Sequence, residues 1–252
     1  MSDTLFTGKH AIRLEEIPST NTYAQEILKE NTPEGTLILA YKQSAGRGQK
    51  GNVWLTEAGL NLTFSIIYYP KFLLAKQVFL LSKITSLALR DTLVEFLPME
   101  EVDIKWPNDM LVNKKKVAGI LIENQLEGSR IGSSVIGVGL NVNQPAFPEE
   151  IQHKATSMFQ AREEKFDTEK VLQKFLSQLE RRYLELKNLG SSTLDQLYVR
   201  YLFGYQEEMT FHKDGANFSG MIVGVDERGR LAIAEGQKLN YYDFKEISFL
   251  YN

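Results

Sequence analysis

Residues 102–140 read VDIKWPNDMLVNKKKVAGILIENQLEGSRIGSSVIGVGL. Short apolar runs bounded by turn-forming residues predict β-strands. Asn113–Lys115 suits the turn of a hairpin. The stretch therefore predicts successive strands joined by tight turns. The four predicted strands are Val102–Trp106, Met110–Val112, Lys116–Asn124 and Ile131–Leu140.

Further strand and helix patterns lie on both sides of this stretch. Ala11–Ile17 alternates apolar and polar residues as a strand does, and Pro18 ends it. A helix-compatible segment then runs to Glu30, with Thr22 and Gln25 at the spacing of a capping box. Apolar residues at helical spacing predict a long core helix over Phe72–Leu97. The other predicted elements are strands Thr36–Tyr41 and Asn61–Tyr69, and helices Thr168–Leu189 and Thr193–Tyr201.

The pattern changes after Gly204. Several short strand candidates follow, separated by turn signals at 213–215 and 226–229. Short strands with regular turns are typical of a small barrel. We therefore predict a larger domain over residues 1–203 and a small β-domain over residues 204–252. The strand candidates are Glu207–His212, Phe218–Asp226, Arg230–Ala234 and Lys238–Tyr242.

Composition excludes several classes of protein. The 252 residues contain no cysteine, which excludes disulfides, thiolate metal sites and a cysteine nucleophile. The formal net charge of −3 gives no electrostatic case for nucleic-acid binding. The N-terminus shows no signal peptide, and charged residues interrupt the longest apolar segment, so no membrane span is expected. These features favour a soluble, cytoplasmic protein that contacts neither DNA nor membrane.

Residues 46–54 read GRGQKGNVW and are the most informative segment for function. Its three glycines let the backbone approach a ligand, while Arg47 and Lys50 supply donors suited to phosphate or carboxylate. Trp54 would cover an aromatic base. A flexible surface loop with incidental charge is the alternative interpretation. The segment lacks P-loop spacing, and no helix follows it as in a dinucleotide-binding motif.

Three strand-associated segments carry further candidates. Residues 105–109 (KWPND) follow a strand and read either as a simple turn or as a nucleotide site, with Asp109 near the phosphates through Mg²⁺. In residues 116–123 (KVAGILIE), the small Gly119 marks either close ligand approach or tight packing. In residues 137–141 (GVGLN), two glycines at alternate positions clear one face of a strand. That face would form either a pocket floor or a packing surface.

These four segments, in this order, resemble the catalytic domain of biotin protein ligases. The family carries a G-R-G-x-x-G-x-x-W loop, a K-W-P-N-D segment, a K-x-A-G-I-L-x-E strand and a G-x-G-x-N strand. Residues 19–21 (STN) and Gln43 match two further family positions. The resemblance implies an α+β fold in which helices pack on a mixed β-sheet, as in class II aminoacyl-tRNA synthetases. It also implies a small C-terminal SH3-like β-barrel.

The resemblance implies roles for residues at matching positions. A ligase of this kind uses ATP and Mg²⁺ to convert biotin to biotinoyl-AMP, then transfers biotin to a lysine of a biotin carboxyl carrier protein. Asp109 would be a Mg²⁺ ligand. The implied catalytic residues are Arg47, Lys105, Lys116 and Asp109. The implied biotin-binding residues are Ser19, Thr20, Asn21, Gln43, Gly46, Arg47, Gly48, Gln49, Lys116, Gly119 and Gly137. The implied ATP-binding residues are Lys50, Asn52, Trp54, Lys105, Trp106, Asn108 and Asn141.

The chain departs from the family at two places. Gln49 and Asn52 stand where many members carry basic residues, which makes the loop less positive. Only about ten residues precede the first predicted strand, too few for the winged helix-turn-helix of bifunctional members, so no repressor activity is expected. The resemblance also implies that strand edges can pair with the carrier or with a second subunit as a homodimer.

Two rival functions remain. A lipoate or octanoate ligase shares the fold but usually carries an R-R-x-[ST]-G-G-G loop, which this sequence lacks. A non-catalytic biotin-binding protein is the other, and intact Arg47, Lys105, Asp109 and Lys116 argue against it. We further predict that Lys42–Gly59 and Gln144–Ser157 are mobile without ligand and close over the adenylate.

Overall fold

A seven-stranded mixed sheet forms the centre of the computed structural model, which describes residues 4–28 and 31–251. Its order is β1-β2-β3-β7-β6-β5-β4; β1 and β2 are parallel, and the other neighbours are antiparallel. The predicted mixed sheet is confirmed. The strands are β1 Ala11–Ile17, β2 Leu37–Gln43, β3 Leu62–Tyr68, β4 Val102–Lys105, β5 Asp109–Val112, β6 Lys115–Glu127 and β7 Arg130–Leu140.

Helices cover both faces of this sheet. Because side chains alternate along a strand, Leu37 and Ile66 belong to the main core, whereas Ile38 and Ile67 lie in a smaller cluster with α1. Helices α2 and α4 pack together over the main core. Within the described chain, no helix combines the length and apolar character needed to cross a membrane. The helices are α1 Thr20–Ile27, α2 Phe79–Phe96, α3 Met158–Arg162, α4 Thr168–Leu189 and α5 Ser192–Arg200.

Two predicted helix starts are wrong for local reasons. Helix α1 begins earlier than the predicted capping box, because Ser19 is its N-cap and the Thr20 N–H donates to the Gln43 side chain at 2.7 Å. Helix α2 begins at Phe79 rather than Phe72. Within its predicted first turns, Leu73 instead pairs with β7, since the Ile131 N–H donates to the Leu73 carbonyl, and Ala75–Gln77 form a single 3-10 turn. The end of the first predicted helix, residues 29 and 30, lies outside the described residues.

The C-terminal residues form a second, antiparallel sheet of five strands in the order β11-β10-β9-β8-β12. Strand β12 follows the four strands expected from the turn signals and was not predicted. Phe211, Ile222 and Leu231 of this sheet belong to the same buried cluster as Leu81 of α2. The two sheets therefore share a continuous core. The strands are β8 Glu208–Lys213, β9 Ala216–Val225, β10 Leu231–Glu235, β11 Lys238–Tyr242 and β12 Ser248–Leu250.

A buried carboxylate on α4 anchors the N-terminal segment. Glu180 is 5% exposed and accepts the backbone N–H groups of Phe6 at 2.9 Å, Thr7 at 2.8 Å and Leu5. Burial raises the pKa of Glu180, but the three backbone hydrogen bonds outweigh burial, so this pKa lies below its ordinary value. The ionised carboxylate therefore stabilises the fold.

We expect Glu180→Gln to lower the free energy of unfolding by about 2–3 kcal/mol near neutral pH, because an amide replaces a charged acceptor of three N–H groups. A lowered folded-state pKa gives stabilisation that is present above the unfolded-state pKa and lost as pH falls through the folded-state value. The stability gap between wild type and variant should therefore narrow in acid. Urea unfolding near neutral pH and at about pH 3 measures this gap. A gap that widens in acid would contradict the assignment, and Glu169→Gln on the exposed face of α4 is the control.

Candidate active site

The floor of the candidate site is a patch of glycines that the sheet register brings together. Asp109 of β5 pairs with Gly119 of β6, which pairs with Gly139 of β7. One row further along, Leu121 pairs with Gly137, and Gly137 with Ser65 of β3. The three glycines share one face of the sheet, which is therefore clear of side chains.

Two side chains from other segments occupy the cleared face. A Cβ at Gly139 would overlap the indole of Trp54, and a Cβ at Gly119 would come within 3.2 Å of the same ring. A Cβ at Gly137 would overlap the carboxamide of Asn21. In this structure the glycines are therefore the packing surface for Trp54 and Asn21, and these two side chains form part of the pocket wall.

Most of the residues predicted from the sequence line a single pocket above this floor. Gly46, Lys105, Trp106 and Asn141 lie outside the lining, and the side chain of Lys50 lies outside the described part of the structure. The predicted residues in the lining are Ser19, Thr20, Asn21, Gln43, Arg47, Gly48, Gln49, Asn52, Trp54, Asn108, Asp109, Lys116, Gly119 and Gly137. Gly139, the second glycine of the candidate pocket floor, also lines the pocket, and the lining residues that were not predicted are Val53, Phe64, Ile120, Leu121, Val138 and Phe244.

The glycine-rich loop folds back on itself beside the pocket. The Gly48 N–H donates to the Asn52 carbonyl at 2.7 Å, and the Trp54 N–H donates to the Gly46 carbonyl at 2.9 Å. A Cβ at Gly46 would overlap the carbonyl oxygen of Trp54, so this turn requires glycine. Gly46 therefore shapes the loop while Arg47 and Trp54 face the pocket. The predicted mobility of the loop stays a prediction.

Arg47 is held by a carboxylate from β6. Its Nη2 donates to Glu123 Oε1 at 2.8 Å, and its Nη1 lies 3.3 Å from Thr22 Oγ1. The Asn21 amide nitrogen donates to Glu123 Oε2 at 2.9 Å, while Asn21 Oδ1 accepts from Ser65 Oγ at 2.6 Å. The cation is thus tied into a polar network that spans α1, β3, β6 and the glycine-rich loop.

Lys116 carries the second cation of the pocket. Its Nζ lies 2.7 Å from Asp109 Oδ1 and 5.5 Å from the centre of the Trp54 ring. Its backbone also holds the segment after β7, because the Lys116 N–H donates to the Lys154 carbonyl at 2.7 Å. The Lys116 carbonyl accepts from Thr156 at 2.9 Å. Lys116 therefore links the pocket floor, the indole and the predicted second loop.

The C-terminal sheet engages Lys105 and Trp106 instead of the pocket. Lys105 Nζ lies 3.2 Å from the Tyr251 hydroxyl and 5.4 Å from the centre of the Phe249 ring. Trp106 is 4% exposed, and its indole N–H donates to the Gly229 carbonyl at 2.8 Å. The expectation that Trp106 stands beside a nucleotide stays a prediction, and its ring lies against Phe244, which lines the pocket.

The side-chain amides of Asn108 and Asn141 donate hydrogen bonds to backbone carbonyls near the pocket. Asn108 Nδ2 donates to the Ile120 carbonyl at 2.8 Å, which ties the turn after β4 to the central strand β6. Asn141 Nδ2 donates to the Thr156 carbonyl at 3.0 Å, which anchors the end of the predicted second loop. Both amides therefore have structural partners, and Asn108 additionally lines the pocket.

Three predicted site residues carry a buried polar atom without a hydrogen-bond partner among the described residues: Gln49 Oε1, Trp54 Nε1 and Asn141 Oδ1. The other two such atoms in the described residues are Ser86 Oγ and Tyr198 Oη, which belong to neither the pocket lining nor the predicted site. A buried polar atom without a partner costs about 1–3 kcal/mol, so a ligand atom that bonds to Gln49 Oε1 or Trp54 Nε1, both of lining residues, would be stabilising. No group of three or more histidine, cysteine, aspartate or glutamate side chains within the described ranges is placed to hold a metal by itself.

Sequence reasoning assigned no role to Glu123, Ser65 or Phe244. Glu123 ends the matched K-x-A-G-I-L-x-E segment, and it follows Gly119 by four residues in one strand and therefore shares its face. Ser65 and Phe244 carried no signal. Ser65 sits in a fully buried strand, and Phe244 reaches the pocket only because the C-terminal sheet packs against Trp106.

Comparisons with known proteins agree on one family. Residues 14–141 match the model of the biotin/lipoate A/B protein ligase family. The bifunctional ligase/repressor BirA of Bacillus spizizenii is 38% identical over 240 residues, which cover 93% of this chain and 73% of that protein. The biotin–[acetyl-CoA-carboxylase] ligase of Mycobacterium tuberculosis is 29% identical over 205 residues, covering 81% of this chain and 74% of that protein.

A solved structure has the same overall fold. The biotin protein ligase of Aquifex aeolicus, determined in complex with biotin and ATP, superposes with a TM-score of 0.80 at 27% identity. The match covers 97% of this chain and 100% of the Aquifex chain. The similarity therefore includes the C-terminal sheet as well as the segment matched by the family model.

Proposed function

We propose that this chain, which belongs to the biotin/lipoate A/B protein ligase family, activates biotin with ATP and transfers it to a lysine of a carboxylase's biotin carrier. One observation carries the proposal most directly. Arg47 and Lys116 both line one pocket; Arg47 is paired with Glu123 through part of its guanidinium, and Lys116 is paired with Asp109. A reaction between two anions needs such a pair of cations, because the carboxylate of biotin and the triphosphate of ATP repel each other.

The first step joins biotin to the nucleotide. A carboxylate oxygen of biotin attacks the α-phosphorus of ATP, the bond to the β-phosphate breaks, and pyrophosphate leaves. Arg47 and Lys116 hold the attacking carboxylate and the developing phosphate charge, and Trp54 supplies a flat face for the adenylate. The polar network of Thr20, Asn21 and Gln43 offers donors and acceptors to the neutral ring system. Positioning and charge stabilisation drive this step, and no protein nucleophile is used.

The pocket contains one carboxylate suited to bind Mg²⁺, that of Asp109. Magnesium is usually bound through one or two carboxylates together with substrate phosphates. Asp109 is a carboxylate in the lining, and the buried Asn141 Oδ1 is an oxygen without a partner among the described residues. Asp109 would hold the ion, which when bound supplies neutralising charge to the phosphates. Lys116, now paired with Asp109, would then be free to face the anionic substrates.

The second step transfers biotin to the carrier. The ε-amine of the acceptor lysine attacks the acyl carbon, the bond to AMP breaks, and the amine loses a proton. The M. tuberculosis relative is named for acetyl-CoA carboxylase, which supports a carboxylase carrier as the partner. We propose cytoplasmic action, and we propose that the edge of the seven-stranded sheet offered by β1 pairs with the carrier or with a second subunit.

We expect purified protein to catalyse exchange of pyrophosphate into ATP only when biotin is present, since the first step is reversible. Adding a biotin carrier domain should then increase the carrier's mass by one biotin, as seen by mass spectrometry. Lipoate in place of biotin is the control, because the related lipoate ligases share this fold. Exchange with lipoate and not with biotin would overturn the assignment in favour of a lipoate ligase.

A further inference from the structure

The carboxylate of Glu123 joins two residues that line the pocket. Oε1 accepts from Arg47 at 2.8 Å, and Oε2 accepts from Asn21 at 2.9 Å and from Arg47 at 3.4 Å. Glu123 itself lies beside the lining, two residues beyond Leu121 on the same face of β6. Any influence of Glu123 on a bound substrate therefore passes through Arg47 and Asn21.

We propose that Glu123 is a positioning residue for biotin adenylation, an inference that rests on the proposed function. It sets the direction of the Arg47 guanidinium and of the Asn21 amide before substrate enters. No substrate contact is assigned to Glu123.

The effect on Asn21 follows from hydrogen-bond chemistry. An ionised carboxylate only accepts, so the amide nitrogen of Asn21 must face Glu123. Its oxygen then faces Ser65 Oγ at 2.6 Å, and the absence of a Cβ at Gly137 leaves room for the amide directly above the sheet. Asn21 is 3% exposed, and these contacts hold its amide in one orientation.

The effect on Arg47 is both geometric and electrostatic. A guanidinium has five N–H donors in a rigid fork, and Glu123 together with Thr22 uses only part of them. The remaining donors are available to an anion in the pocket. The negative charge of Glu123 also weakens the attraction of Arg47 for any such anion, since like charges repel.

Removing the charge of Glu123 should therefore affect kcat and the KM for biotin differently. Without Glu123 the guanidinium attracts the biotin carboxylate at least as strongly, but it is no longer held in the direction that serves the transition state. The KM for biotin should stay equal or fall, while kcat falls. With kcat expressed per folded molecule, loss of folded protein leaves kcat unchanged, whereas loss of a direct biotin contact would raise the KM for biotin.

The test is steady-state pyrophosphate exchange with the full chain carrying Glu123→Gln, a change that removes the charge and keeps the shape. We expect kcat to fall about tenfold or more, with the KM for biotin no higher than in wild type. The matched control is Glu127→Gln, which changes an exposed glutamate of the same strand that pairs with Lys71 away from the pocket. A kcat within about threefold of wild type, or a raised KM for biotin, would overturn the proposal.

Two further measurements keep the test decisive. Adding Glu123→Gln to Arg47→Ala should change kcat far less than it does in wild type, because the residue acts largely through Arg47. If Glu123→Gln does not fold in a thermal unfolding assay, Glu123→Asp replaces it. The shorter carboxylate cannot reach both partners, so it should lower kcat, and a wild-type kcat would overturn the proposal.

Absence of biotin-dependent exchange in the wild-type protein would instead reject the proposed function itself.

Discussion

Replacing Lys116 with alanine should slow adenylate formation by roughly two to three orders of magnitude. The Lys116 ammonium lies 2.7 Å from Asp109 and beside the Trp54 ring, where a carboxylate and a phosphate would meet. The variant loses this positive charge, so the carboxylate of biotin and the phosphates of ATP would have to approach each other without the cation that attracts both of them.

Biotin-dependent pyrophosphate exchange measures this effect directly. Lys115→Ala is the matched control, because Lys115 is the adjacent residue in β6 but is exposed and outside the pocket lining. Exchange within about threefold of wild type in Lys116→Ala would refute the assigned role.

Replacing Arg47 with alanine is the second large effect, and we expect adenylate formation to fall roughly a hundredfold. Arg47 forms a fork-shaped contact with Glu123 and lies in the loop that bounds the pocket. The variant loses the cation and also the ion pair with Glu123 that connects this loop to β6. We therefore expect that the adenylate which does form escapes more readily, so released biotinoyl-AMP should rise relative to biotin delivered to the carrier.

Single-turnover formation of the adenylate, with separation of bound from released product, tests both parts. Arg47→Lys keeps the charge but not the fork, so it should fall between wild type and Arg47→Ala. Lys42→Ala is the control, because Lys42 pairs with Glu16 on the surface beside the same loop. Unaltered turnover in Arg47→Ala would show that the loop cation has no part in the reaction.

Much of the fold follows from local patterns in the sequence. Helix α4 has the predicted bounds Thr168–Leu189, because its apolar stripe repeats with helical spacing and a glycine follows its last residue. Strands β1 and β11 also have their predicted bounds. The start of α2 differs, because residues 73–75 hydrogen-bond to Ser129 and Ile131 at the start of β7, a contact between distant parts of the chain that no local pattern records.

The sequence by itself indicated most of the residues that line the candidate site. The glycines at 119, 137 and 139 and the loop at 46–54 already mark a floor without side chains and a cationic wall. Only the tertiary structure decided how these cations are held. Arg47 and Glu123 are 76 residues apart, and their contact exists because the loop folds over the face of β6 that alternation assigns to Gly119, Leu121 and Glu123. Charge type is a local property of a residue, whereas its partner depends on sheet register and on the packing of distant segments.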